Sequence, residues 1–283
     1  MKNNQQDISA PQHEIAGVLA GKVALITGGA SGIGFAIAQR FAAAGCKLVV
    51  SSRNTEHGIN AENALRQSGA DVLFAQADIA REDDVRHLID VTLARFGRLD
   101  ILINNAGPSG SAFGLGPIHE LATDVFEQTM RVGVYGPLWC CKYALPYLRM
   151  QRGVIVNISA LTAIRALPLM GAYAMAKAAL EALTRQVAND YADDGIRCNS
   201  LMVGTVRPEA NDISTLPASF DHAALDVAIA KATMLNRVGS YANVAEAALF
   251  LASHASQYIT GASIPVEGGA LAKIQYPDYR TAF

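Results

Sequence analysis

The sequence predicts one α/β domain: a doubly wound, seven-stranded, mostly parallel sheet with helices on both faces. Three observations carry that expectation. Seven short runs, "KVALIT", "CKLVVSS", "DVLFAQA", "LDILIN", "GVIVNIS", "IRCNSL" and "ASIPVEG", are largely apolar without alternation. That is the pattern of strands covered on both faces. Longer Ala-rich stretches at helical spacing lie between them, as at Gly34 to Ala44, Asp83 to Phe96 and Ala172 to Tyr191. Strands and helices that alternate through right-handed crossovers wind a parallel sheet. The composition, 51% hydrophobic against 17% charged over 283 residues, supplies a large core.

Taken in order, residues 1–18 are polar and lack the apolar stretch of a signal peptide, so a flexible tail is expected. No linker composition or repeat follows, and 19–283 reads as a single domain. The first strand runs into "TGGASGIG" and then a helix. Gly28, Gly32 and Gly34 allow a tight turn, and let backbone N–H groups approach a pyrophosphate at the helix N-terminus. The second strand ends "LVVSSRN". A carboxylate about 20 residues beyond the first glycine would bind a ribose diol. Ser52 and Arg53 stand there instead. A guanidinium can grip a 2′-phosphate through paired charge-assisted hydrogen bonds, which a carboxylate would repel, so NADP(H) is expected. After "LDILINNA" comes "GPSGSAFGLGPIHE", a Gly/Pro-rich loop. After "MVGT" comes a segment, about 206–235, with Pro208 and Pro217 among polar residues, expected to form a lid. Both follow strands and so belong at the carboxyl ends of the sheet, where such folds bind ligands.

The chemistry centres on "YAMAK". Tyr173 and Lys177 are four apart and share a helix face. A phenol ordinarily titrates near ~10, and a nearby ammonium is expected to lower that value by stabilising the phenolate. Such a pair can protonate a carbonyl oxygen as a hydride arrives, or deprotonate an alcohol in reverse.

"TGGASGIG", "NNAG" at Asn104 to Gly107, "YAMAK" and "YITGASIPVEGG", in that order, resemble the short-chain dehydrogenase/reductase family over roughly Leu19 to Ala270. The resemblance implies a Rossmann-type sheet, a nicotinamide cofactor, a carbonyl or alcohol substrate, and a homodimer or homotetramer. It implies that Gly28, Ser31, Gly32, Ile33 and Gly34 follow the pyrophosphate, with Ser52 and Arg53 at the adenosine ribose. Asp78 and Ile79 would flank the adenine. Asn105, Ala106 and Gly107 would run toward the nicotinamide ribose, where Lys177 and Tyr173 also touch the cofactor. Val206 would meet the carboxamide, although Val203 replaces the usual Pro before Gly204.

Two positions depart from the family's pattern. The Ser that orients the substrate oxygen belongs thirteen residues before the Tyr, where this chain has Ala160; Arg165 and Pro168 fall in place without a gap. Ser159 is the expected replacement, with Thr162 as an alternative. The Asn that supports a water-linked relay to the Lys is replaced by Gly133, which keeps only its main chain. These departures leave a second function open, a weakened or vestigial NADP-binding protein. An elimination enzyme of the halohydrin dehalogenase type, which lacks a working dinucleotide loop, is disfavoured by the intact glycines and Lys177.

A formal charge of −2 shows no bias toward nucleic acid or anionic membranes, and no apolar run reaches the ~18 residues of a membrane span. The cysteines, at 46, 140, 141 and 198, lack C-x-x-C spacing and a His cluster, so no metal is expected. Buried thiols in a reducing compartment fit them better, and a cytoplasmic location is expected.

Overall fold

The computed structural model describes residues 17–108, 113–207 and 222–273. Each apolar run becomes a strand: β1 (Val23–Thr27), β2 (Lys47–Ser52), β3 (Val72–Gln76), β4 (Ile101–Asn104), β5 (Val154–Ala160), β6 (Arg197–Val203) and β9 (Ser263–Val266). A two-residue pair, β7 (Val206–Arg207) and β8 (Gly239–Ser240), stands apart. The main sheet has the order β3-β2-β1-β4-β5-β6-β9, and every neighbouring pair is parallel. Growth of the sheet reverses between β3 and β4, so β1 and β4 lie side by side with their carboxyl ends at the same edge. That crevice is where a doubly wound sheet binds its ligand.

The helices are α1 (Gly32–Ala43), α2 (Thr55–Gln67), α3 (Glu82–Phe96), α4 (Thr123–Met130), α5 (Gly136–Gln151), α6 (Gly171–Asp190), α7 (His222–Ala232) and α8 (Tyr241–Ala252). Their ends follow local chemistry. α3 opens on Glu82, Asp83 and Asp84 and closes on Gly97 at φ 71°, matching the helix dipole and the left-handed cap. α8 opens with a reciprocal cap between Ser240 and Asn243.

Successive strand residues feed two cores, which is why the strands are apolar throughout. Ile26, Val50, Ile103, Val156 and Ile158 pack with Phe41 of α1 and Leu251 of α8. Leu25, Val49, Leu102 and Ile155 pack with Leu88 of α3, Leu145 of α5 and Val187 of α6. The free cysteines belong to these interiors, and burial pushes the thiol of Cys141 up to about 12. No helix among the described residues is long and apolar enough to cross a membrane.

Of the expected tail, residues 1–16 lie outside the described residues, as does 208–221 of the expected lid; the remainder of that segment includes α7. α4 and α5 are joined by a π-helical turn, Arg131–Tyr135, with Gly133 at its centre. A Cβ on Gly133 would stand 2.7 Å from the Cβ of Ala176, so α6 approaches too closely for any larger residue. The reason for this glycine is a helix contact.

Candidate active site

The glycine-rich turn is held by the neighbouring strand end. Thr27 Oγ1 accepts hydrogen bonds from the backbone N–H groups of Asn105 and Ala106, both at 3.1 Å. The Asn105 side-chain amide donates to the carbonyls of Thr27 and Gly28 at 2.9 and 3.2 Å. Gly28 has φ 64°, a conformation that favours glycine. A Cβ on Gly34 would come within 2.3 Å of the Gly28 carbonyl oxygen, so the helix can start this close to the turn only with glycine there. Thr27 is a site-building residue that the motif reading passed over; its signal was a hydroxyl at the end of an apolar strand.

A cavity of about 260 Å³ lies over these strand ends, lined by Gly28, Ser31, Ser52, Arg53, Asp78, Ile79, Asn105, Ala106 and Gly107. Nine of the residues expected at the cofactor therefore share one cleft. Ser51 also lines it, and its buried Oγ makes no hydrogen bond. The tight glycine turn and the unsatisfied Ser51 hydroxyl in the cleft wall are groups that suit the phosphates and ribose of a nucleotide cofactor. Val206 is not among its walls. It sits in β7 and lines a separate cavity of about 490 Å³ with Thr205, Met234 and Gly268.

Tyr173 and Lys177 lie on the first turns of α6. Lys177 is buried and its Nζ donates to the Ile158 carbonyl at 2.7 Å, 5.5 Å from the centre of the Tyr173 ring. A Cβ on Gly107 would be 3.5 Å from the same Nζ, so the cavity and the lysine meet at Gly107. Phe113 packs on the Tyr173 ring, with centroids 5.0 Å apart. Burial pushes the phenol up to about 12 and the Lys177 ammonium down to about 8. This reverses the expectation that the lysine lowers the tyrosine. Loss of water around the ring outweighs an ammonium whose hydrogen bond goes to a carbonyl.

Ser159 and Ala160 both remain within β5. Ser159 shares its face with Asn157, whose side chain donates to Thr184 Oγ1 of α6 at 2.8 Å, so it points beneath the helix that carries the tyrosine. It is buried and its Oγ makes no hydrogen bond. Thr162 lies just beyond, in the 3₁₀ turn Leu161–Ala163, and its Oγ1 is likewise buried without a partner.

A phenol, a buried ammonium and a cleft lined by the glycine turn thus meet at one edge of the sheet. Residues 28–270 match the family model described as enoyl-(acyl carrier protein) reductase. L-fucose dehydrogenase of Oryctolagus cuniculus is 37% identical over 256 residues, covering 89% of this chain and 85% of that protein. 3beta-hydroxysteroid dehydrogenase 2 of Eggerthella lenta is 35% identical over 254 residues, covering 89% and 95%. Among solved structures, a double variant of a Serratia marcescens short-chain dehydrogenase/reductase superposes with a TM-score of 0.80 at 30% identity, covering 89% of this chain and 98% of that one. The chain belongs to the short-chain dehydrogenase/reductase family and is an oxidoreductase of that type. The family uses nicotinamide cofactors.

Proposed function

We propose that this protein is an NADP(H)-dependent carbonyl reductase or alcohol dehydrogenase, with Tyr173 as its acid/base and Lys177 as the electrostatic support. The observation that carries the reading is the junction at Gly107, where the lined cleft reaches the lysine beside the tyrosine. Bound NADPH supplies a hydride to the carbonyl carbon. Tyr173 Oη holds its proton at neutral pH because burial raises its pKa, and gives it up to the developing alkoxide, a stronger base than a phenolate. Ser159, or Thr162 from the adjoining turn, supplies the hydroxyl that orients the substrate oxygen.

Preference for the 2′-phosphate is supported by Ser52 and Arg53 in the cleft wall. Arg53 is exposed, forms no ion pair among the described residues, and stands at the N-terminal end of α2, which favours an anion. The substrate's character is suggested by the mouth of the site. Leu115, Ile118, Ile164, Leu167 and Leu169 are each more than half exposed on the two loops flanking Tyr173, at 65, 64, 57, 56 and 57%. Those loops are tied by a bridge between Gly116 and Met170. An apolar rim beside Phe113 suits an uncharged substrate with a bulky apolar body.

The test is consumption of NADPH and NADH by purified protein over a panel of apolar ketones, quinones and charged keto acids. Turnover of apolar ketones with NADPH is expected. Arg53→Ala is expected to weaken NADPH binding at least ~10-fold more than NADH binding. Equal weakening of both would overturn the cofactor assignment, and a preference for keto acids would overturn the substrate class.

A further inference from the structure

Three charged side chains are buried among the described residues: Asp100, Lys177 and Glu181. Asp100 lies at the amino end of the sheet and is matched by Arg98 and Lys22, at 2.6 and 3.2 Å. Lys177 and Glu181 have no such partner. They stand one helical turn apart on α6, so Tyr173, Lys177 and Glu181 form a single ladder of residues four apart.

Glu181 has no role in the acid/base chemistry assigned above, yet its surroundings hold it in place. One carboxylate oxygen, Oε2, accepts hydrogen bonds from Ser200 Oγ of β6 at 2.7 Å and from Ser263 Oγ of β9. The other, Oε1, is buried and makes no hydrogen bond. Two strands of the sheet therefore contribute hydroxyls to anchor a carboxylate that would be costly to bury for packing alone.

We propose that Glu181 is a positioning residue for the reaction, its buried carboxylate serving as the counter-charge that keeps Lys177 protonated under Tyr173. The proposal rests on the acid/base reading above. Among the described residues, no other charge on the elements packed against α6 is placed for this role. The remaining ionisable groups on the packed elements are Asp124, Glu127 and Arg131 on α4 and its π turn, Lys142 and Arg149 on α5, and Arg185 and Asp190 on α6, all on the outside. Lys142 pairs with Glu82 and Arg149 with Asp194. Arg197 on β6 is committed to the carbonyls of Leu251, Ser253 and Ile259. The thiols of Cys140, Cys141 and Cys198 are raised by burial and stay neutral. Burial already brings Lys177 down to about 8 with the attraction of Glu181 opposing it. Without that attraction the amine would lose its proton at lower pH, and the phenolate its support.

The direct test is an NMR titration of the Lys177 side chain in full-length protein carrying ¹³C,¹⁵N-labelled lysine, with the signal assigned by Lys177→Met. In Glu181→Gln the Lys177 midpoint is expected to fall by about one unit or more, since removing a nearby negative charge destabilises the ammonium. Glu181→Asp, which keeps the charge, is expected to recover most of the shift. A midpoint unchanged in Glu181→Gln overturns the proposal. Should that variant fail to fold, the wild-type protein still decides: the Glu181 carboxyl ¹³C signal is expected to move with the Lys177 midpoint, and its failure to do so sinks the idea. With a substrate from the panel, the alkaline limb of the kcat/KM profile is expected to move to lower pH in Glu181→Gln by the same amount as the NMR midpoint. The titrations need no substrate, so absence of turnover would count against the reductase reading alone.

Discussion

At Lys177, stability and chemistry pull in opposite directions. Its pKa is lowered from 10.5 to about 8 because the ammonium is buried, and the attraction of Glu181 offsets only part of that cost. Between those values the unfolded chain carries a proton that the folded chain does not, so stability rises with pH across that window. Below about 8 both states are protonated and the folded state bears the whole cost, on the order of 3 kcal/mol at ~1.4 kcal/mol per unit. Replacing both buried charges, in Lys177→Met with Glu181→Gln, is therefore expected to raise stability at pH 7 by about 1 kcal/mol or more, with the lysine's share of the gain fading as pH approaches ~10, while turnover is lost. Denaturant titrations at several pH values check this; a variant less stable than the wild type at pH 7 would show that the buried charges are not a burden. The sequence puts Tyr173 and Lys177 on one helix face, and they lie so on α6, because a spacing of four on a helix is a local property. It misjudges the direction of the tyrosine's shift, because burial by Phe113, sixty residues away in the chain, is not local.

The same division holds for elements. All seven strands of the sheet, and the helices at α1, α3 and α6, form within a few residues of where the apolar pattern puts them, since that pattern reports burial directly. The π turn at Arg131–Tyr135 is invisible to it. Nothing in "MRVGVYG" departs from helical periodicity, and Gly133 stands out there only as the residue in place of the family's relay Asn. Its cause is the 2.7 Å approach of Ala176, a contact across the molecule. The two views predict opposite signs. Helix propensity alone would have Gly133→Ala stabilise by about ~1 kcal/mol. Overpacking against α6 is expected to win, with a loss of about 1–3 kcal/mol in chemical denaturation. A stabilised variant would mean that α6 yields easily and the glycine has another explanation. The β7–β8 pair is likewise absent from the sequence reading, since strands of two residues carry no period.

For the molecule as a whole, the outer faces of α5 and α6 remain incompletely covered by one chain. Tyr135, Leu138, Met150 and Met175 are 48, 43, 65 and 45% exposed, and Tyr135 stacks on Trp139 at 5.5 Å. We propose that these faces pack on a second copy to give a dimer or tetramer. Light scattering at micromolar concentration is expected to show it, with Leu138→Glu shifting the mass downward while circular dichroism stays unchanged; a wild-type monomer would remove the proposal. The cleft over the carboxyl ends of β1 and β4, in contrast, is lined by residues of the single chain. Asn105 clasps the turn between β1 and α1 from the far strand, so the shape of that turn is fixed by the protein's own hydrogen bonds. A ligand that met such a backbone would spend little entropy on ordering it.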